Sequence, residues 1–91
     1  MKGGEEMELT ETIEGMQSPD YKERFKAEYH QTKIRYEKLK KFCNRIEAAE
    51  LTHTEPPKHD CPLELLRKQQ RHMGEYLGVL EVRAEIEHVV L

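Results

Sequence analysis

The sequence predicts an all-α protein: an antiparallel hairpin of two long helices, preceded by a short N-terminal helix and assembling into an oligomeric helical bundle. Three observations predict it. Apolar residues step by four and three along two long stretches, residues 20–55 hold no proline or glycine, and one proline-containing segment joins the two stretches. The length of 91 residues, with 36% hydrophobic and 36% charged, allows a single small domain with little apolar side chain to bury as a monomer.

Residues 1–8 read as a flexible acidic tail and residues 9–91 as one helical-hairpin domain. Within the tail, Lys2 to Glu6 can be encoded by a purine run resembling a bacterial ribosome-binding site, which makes Met7 an alternative start. Leu9, Ile13 and Met16 fall at i, i+4 and i+7, so a short amphipathic helix is predicted over about 9–16, weakened by Gly15.

The first long helix is predicted over about 19–51. Ser18 is the candidate cap, Pro19 suits the first position, and Asp20 complements the positive end of the helix dipole. Phe25, Tyr29, Thr32, Tyr36, Leu39, Cys43 and Ile46 keep one seam facing a partner helix. Pro56 and Pro57 then break the chain, because they lack amide donors and disfavour helical geometry before them.

The second long helix is predicted over about 62–90, capped by Asp60 or Cys61 with Pro62 in its first turn. Leu66, Gln70, Met73, Leu77, Leu80 and Ala84 continue the stepping. Leu65, Tyr76, Val79, Val82, Ile86 and Val89 lie elsewhere around this helix, and a single partner helix cannot cover them. A homo-oligomer is therefore expected. An antiparallel hairpin brings Tyr36 near Leu77, Leu39 near Gly74 and Tyr29 near Ala84. Gly74 and Gly78 each cost roughly 1 kcal/mol of helix propensity against alanine, which points to a close approach that a side chain would block.

The net charge of −3 conceals an asymmetry: residues 1–18 sum to −4, residues 19–51 to +3 and residues 52–91 to −2. The cationic part carries aromatic rings. At 100° per residue, Lys22, Lys26, Tyr29, Lys33, Tyr36 and Lys40 share an arc of roughly 80° beside the seam. Ammonium groups suit phosphates and tyrosines offer a flat face for a base, while Arg24 and Arg35 lie on the other flank with planar forks suited to bidentate contact with a phosphate. The alternative is structural, with lysine stems covering the seam and pairing to acids such as Glu37 and Glu85. An acidic chain lacks the field of a duplex nucleic-acid binder, so a compact anion held between subunits is the favoured ligand.

Other clusters are weaker. Lys38, Lys41 and Arg45 meet Arg67, Lys68 and Arg71 near the loop, as a solvated end or a site for an acidic partner. Cys43, His53, His59 and Cys61 have no compact zinc-finger spacing, so no metal is expected and both cysteines read as free thiols. Glu28 reads as a carboxylate paired with a lysine or arginine across the hairpin, and Gln70 as a seam amide that sets register or meets a ligand. No nucleophile with a paired base and no glycine-rich phosphate loop is present, so neither an enzyme nor a cofactor is expected. No apolar run approaches a membrane span and no signal-peptide core appears, which predicts a cytoplasmic protein with no membrane partner.

The segments "SPDYKERFKAEYHQTKIRYEKL" and "CPLELLRKQQRHMGEYLGVLEVRAEIE" resemble a family of short helical proteins from phages and prophages of gut bacteria, related to a crAss-like phage gene product. The resemblance spans about residues 9–91 and rests on "DYKERF", "AEY", the "CP" before the second long helix, and "YL", "LE" and "RAEIE" near the end. It departs around "KKFCNR" and "KQQRHMG". Its pattern falls on Asp20, Tyr21, Lys22, Arg24, Phe25, Glu28 and Tyr29, and later on Cys61, Pro62, Tyr76, Leu77 and Arg83. It implies a phage setting, and with it the cytoplasm of an infected bacterial host. Together with the cationic stripe, it leads to an expected counter-defence protein that sequesters a small phosphorylated nucleotide, such as a cyclic oligonucleotide. The expected ligand-binding residues are Tyr21, Lys22, Arg24, Lys26, Tyr29, Lys33 and Tyr36. The alternatives are a module that binds or inhibits a host or phage protein, and a scaffolding bundle.

Overall fold

The computed structural model describes residues 8–91, so the tail ahead of Glu8 and the alternative start at Met7 lie outside the described residues. A 3₁₀ turn, Leu9–Glu11, runs directly into α1, Thr12–Met16; α2 spans Tyr21–Thr52 and α3 spans Leu63–Glu87. The described residues form helices and turns, with no strand among them. The principal-axis extents are 49 × 30 × 22 Å, and the long axis matches the roughly 48 Å expected of a 32-residue helix at about 1.5 Å per residue.

The start of α2 lies two residues beyond the expected position. Asp20, not Ser18, is the cap: its Oδ1 accepts the Lys22 amide at 3.0 Å, while Ser18 Oγ accepts the Asp20 amide at 3.1 Å. A carboxylate satisfies a free amide and complements the dipole at once, which places Pro19 outside the helix. At α3 the cap is Pro62 itself, whose carbonyl takes the Leu65 and Leu66 amides at 3.1 and 3.2 Å, so neither Asp60 nor Cys61 caps that helix. Both long helices end alike. His53 and His88 take left-handed backbone at φ 57° and 59°, and the amides of Thr54 and Val89 return to the carbonyls of Ala49 and Ala84, each at 2.9 Å. That closure ends α3 at Glu87, short of residue 90, and turns Val89 back into the core.

α2 and α3 pack as the expected hairpin. Phe25, Tyr29, Leu77, Leu80, Ala84 and Val89 form one buried cluster, with Tyr36 packed against it. Cys43 and Ile46, both with no exposed surface, continue the buried seam toward the loop. Phe42 and His59 meet edge to face at 6.2 Å between ring centres, and His59 Nδ1 lies 2.7 Å from the Pro57 carbonyl, which ties the loop to α2.

The N-terminal helix turns a different face inward than its apolar spacing predicts. Thr12 is 1% exposed, whereas Ile13 and Met16 are 54% and 42% exposed. The cause is the closeness of the helices: a Cβ built on Gly15 would lie 2.9 Å from Ala27 Cβ, so only a glycine over an alanine fits. Thr12 then satisfies its hydroxyl by donating to the Leu9 carbonyl at 2.7 Å.

Candidate functional site

The hairpin has two flanks, and their chemistry differs. On one, side chains from the far ends of both helices clasp each other. Tyr21 Oη donates to Glu87 Oε1 at 3.0 Å, Arg83 Nε donates to Glu87 Oε2 at 2.7 Å, and the Arg83 guanidinium lies 4.7 Å from the Phe25 ring centre. Tyr76 donates to Glu28, so the partner of that carboxylate is a phenol and not the lysine or arginine its position predicts. The physical reason is placement, because α3 brings the Tyr76 ring across from Glu28 on this flank. Hydrogen bonds from Arg83 and Tyr21 hold the Glu87 carboxyl below the usual range, and the same bond raises the Tyr21 phenol. Arg24 turns back to the chain, its Nη1 donating to the Ser18 carbonyl at 2.8 Å.

The other flank is open and carries the lysine stripe. Tyr29, Lys33, Tyr36 and Glu37 from α2 face Gly74, Leu77, Gly78 and Glu81 from α3 across a groove of about 180 Å³, so one lysine and two carboxylates border it. Tyr36 lies against the α3 backbone, since a Cβ on Gly74 would sit 3.2 Å from its Cε1. A Cβ on Gly78, one turn on, would meet nothing within 4 Å. The two glycines therefore have different causes: Gly74 makes room for a ring of this chain, and Gly78 leaves bare backbone beside open space.

Tyr29 and Glu81 bridge the helices at the end of this groove, the phenol donating to Glu81 Oε2 at 2.6 Å. Burial first, and then the Glu81 carboxylate, push the Tyr29 phenol up to about 12. Beyond the bridge a second hollow of about 580 Å³ shares Tyr29 and Glu81 and runs on to Glu85, His88 and Leu91. Lys33 Nζ stands 5.9 Å above the Tyr29 ring centre. Lys22, Lys33 and Lys40 have no ion-pair partner among the described residues, whereas Lys26 lies 3.4 Å from Glu23 Oε2.

The groove thus brings together Tyr29, Lys33 and Tyr36. Lys22 and Lys26 share their side of α2 but do not line it, and Lys26 instead faces a hollow of about 450 Å³ between α1 and α2 with Glu14, Glu23 and His30. Tyr21 and Arg24 lie on the clasped flank. The residue that sequence reasoning passes over is Glu81. Pairing Tyr29 with Ala84 already puts Glu81 within one turn, but only the observed hydrogen bond distinguishes it from the other exposed acids.

The remaining clusters are dispersed. Arg67 donates to Glu47 Oε1 at 2.6 Å, to Asn44 Oδ1 at 3.0 Å and to Gln70 Oε1 at 2.7 Å, so the loop-end cations are partly neutralised within the chain. Gln70 accordingly pairs with its own helix. Cys43 is buried and Cys61 exposed, and no group of potential metal ligands forms among the described residues. No helix among the described residues is long and apolar enough to cross a membrane.

A family model described as Sequestin matches residues 19–86 of the chain, which cover α2, the loop and nearly all of α3. No curated protein and no solved structure matches it.

Proposed function

This chain belongs to the Sequestin family, and we propose that it binds and sequesters a small phosphorylated nucleotide, such as a cyclic oligonucleotide, as a counter-defence protein of a phage. The family description supports sequestration, and the chemistry of the open flank supports the ligand class. The observation that carries the reading is the groove between Lys33 and Gly78, where a cation, two tyrosines and bare helix backbone meet. Lysine supplies charge for phosphate, Tyr36 a ring face, and the glycine a surface that a planar group can approach. Binding alone suffices for sequestration, so no catalytic step is invoked.

The groove is smaller than the roughly 300–1,000 Å³ of pockets that enclose a drug-sized ligand, so one groove holds one ring system and the rest of the ligand extends along the lysine stripe. A second copy of the chain would cover that remainder. Val79, Val82 and Ile86 on the outer face of α3 are 56%, 61% and 70% exposed and support self-association. Light scattering is expected to give an oligomer for the native chain and a monomer for Val82→Glu. The same outer face also suits the alternative, an inhibitor that docks on another protein.

Calorimetry against cyclic di- and trinucleotides tests the ligand class. Heat that saturates near one ligand per groove is expected, and Lys33→Ala with Tyr36→Ala is expected to remove it while the helical circular dichroism stays unchanged. Arg24→Ala, which alters the clasped flank, is expected to leave it. Absence of heat at high micromolar concentrations of every such ligand rejects the class.

A further inference from the structure

We propose that the outer face of α3 is a docking surface for α3 of a second copy of this chain, the two helices running antiparallel about a two-fold axis near Val79. This assigns the face, direction and register of self-association, and it holds whatever ligand the groove takes.

The apolar part of that face is confined to one stretch. At 100° per residue Tyr76, Val79, Val82 and Ile86 share an arc of about 120° turned away from the buried Leu77, Leu80 and Ala84. Tyr76 is 42% exposed and Val79, Val82 and Ile86 more so, and Val79 and Ile86 are one heptad apart, the spacing of a helix–helix seam. Toward the loop the same side of α3 turns polar, with Lys68, Gln69 and His72 exposed. A partner helix therefore gains apolar contact only where it is centred on this stretch.

Charge decides the direction. Residues 8–30 and 78–91, which meet through the Tyr21–Glu87 and Tyr29–Glu81 hydrogen bonds, sum to −5, whereas residues 31–77 toward the loop sum to +3. A parallel pair stacks like on like, with two Arg83 side chains together and two Glu75 side chains together. An antiparallel pair about Val79 sets Arg71 level with the partner's Glu87 and within a turn of the partner's Glu85, and it sets Glu75 level with the partner's Arg83. The same charges fix the register, because a two-fold axis moved to Glu81 would bring Glu75 level with the partner's Glu87. Arg71 and Glu85 are both exposed, with no ion-pair partner among the described residues, so both are free to make these contacts.

The pairing has a consequence for the open flank. The two-fold axis of an antiparallel pair stands perpendicular to the layer that the helices form, so both open flanks lie on one side of that layer and both clasped flanks on the other. Glu85 lines the larger hollow beyond the Tyr29–Glu81 bridge. Arg71 of each copy thus adds a cation at the edge of the other copy's hollow, a charge that the single hairpin does not place there.

Sedimentation equilibrium of the full chain at low salt tests the proposal, and a dimer is expected. Arg71→Glu and Glu85→Arg are each expected to weaken dimerisation by roughly tenfold, because either reversal turns two attractive pairs of the dimer into two repulsive ones. The double variant Arg71→Glu/Glu85→Arg is expected to return to within about threefold of the native chain, since the pairs are restored with their signs exchanged. Circular dichroism is expected to show the same helix content in all four proteins, which separates lost docking from lost folding. A native chain that stays monomeric at high micromolar concentration, single reversals that leave the dimer unchanged or tighten it, or a double variant no better than the single ones overturns the proposal. Nucleotide heat in calorimetry from a chain that fails this test leaves the ligand class standing, so the two readings fail separately.

Discussion

Replacing each α3 glycine by alanine separates the two roles assigned to them. In a helix interior alanine is favoured over glycine by about 0.8–1.0 kcal/mol. At Gly78 the added methyl meets nothing within 4 Å, so Gly78→Ala is expected to collect the whole gain, about 1 kcal/mol. At Gly74 the methyl would lie 3.2 Å from Tyr36 Cε1 and 3.5 Å from both Cζ and Oη. The ring must then retreat by a few tenths of an ångström from a cluster it packs against, and the lost contacts cancel the propensity gain. The expected difference between the variants is about 1 kcal/mol, or roughly 4–8 °C in Tm for a domain of this size. Urea and thermal unfolding at one fixed chain concentration measure it, since self-association would otherwise shift both values. In a Tyr36→Ala background the difference is expected to vanish, because the obstacle at residue 74 is that ring. Equal stabilisation by both substitutions in the native background would refute the assignment of Gly74 to Tyr36, and destabilisation by Gly78→Ala would refute the claim that its side is open.

Three further outcomes are expected. Gly15→Ala would set two methyl groups 2.9 Å apart, which displaces α1 from α2; amide exchange over residues 9–16 should accelerate while protection of the α2–α3 core persists, and unchanged exchange would contradict the packing. Tyr29→Phe removes the 2.6 Å bond to Glu81 and should cost about 1–2 kcal/mol in urea unfolding, with loss of the tyrosine that ionises near pH 12 in an ultraviolet titration. His30 has its pKa lowered by burial and then by Lys33 and Lys26. Its native form takes up a proton at lower pH than the unfolded chain does, so its contribution is present above the unfolded value of about 6.5 and is lost as pH falls through the native one. His30→Gln should flatten the fall in Tm between about pH 7 and 5, and an identical slope would exclude that residue as a cause.

Much of the fold was legible because it depends on periodicity. The stepping from Phe25 to Ile46 and from Leu66 to Ala84 marks two seams, and Pro56 and Pro57 mark the turn between them; these are local rules that hold before any packing is known. Helix ends were less legible. Ser18, Pro19 and Asp20 all carry start signals, and which one caps depends on where the backbone turns to meet α1. The inward face of α1 was misleading for a related reason: apolar spacing favours Ile13 and Met16, but the approach at Gly15 and Ala27 leaves Thr12 as the side chain that fits.

By itself the sequence determined that two amphipathic helices fold back on each other with a lysine and tyrosine stripe beside the seam. Only the tertiary structure decided which flank stays open, because that depends on side chains from both helices. Tyr21, Tyr76, Arg83, Glu28 and Glu87 close one flank by hydrogen bonds, while Gly74 and Gly78 keep the other low enough for Tyr29, Lys33, Tyr36 and Glu81 to border a groove. Periodicity states which direction each residue faces around its own helix. The depth of a groove and the partner of a carboxylate depend on the distance between two helices, and residues far apart in the chain set that distance.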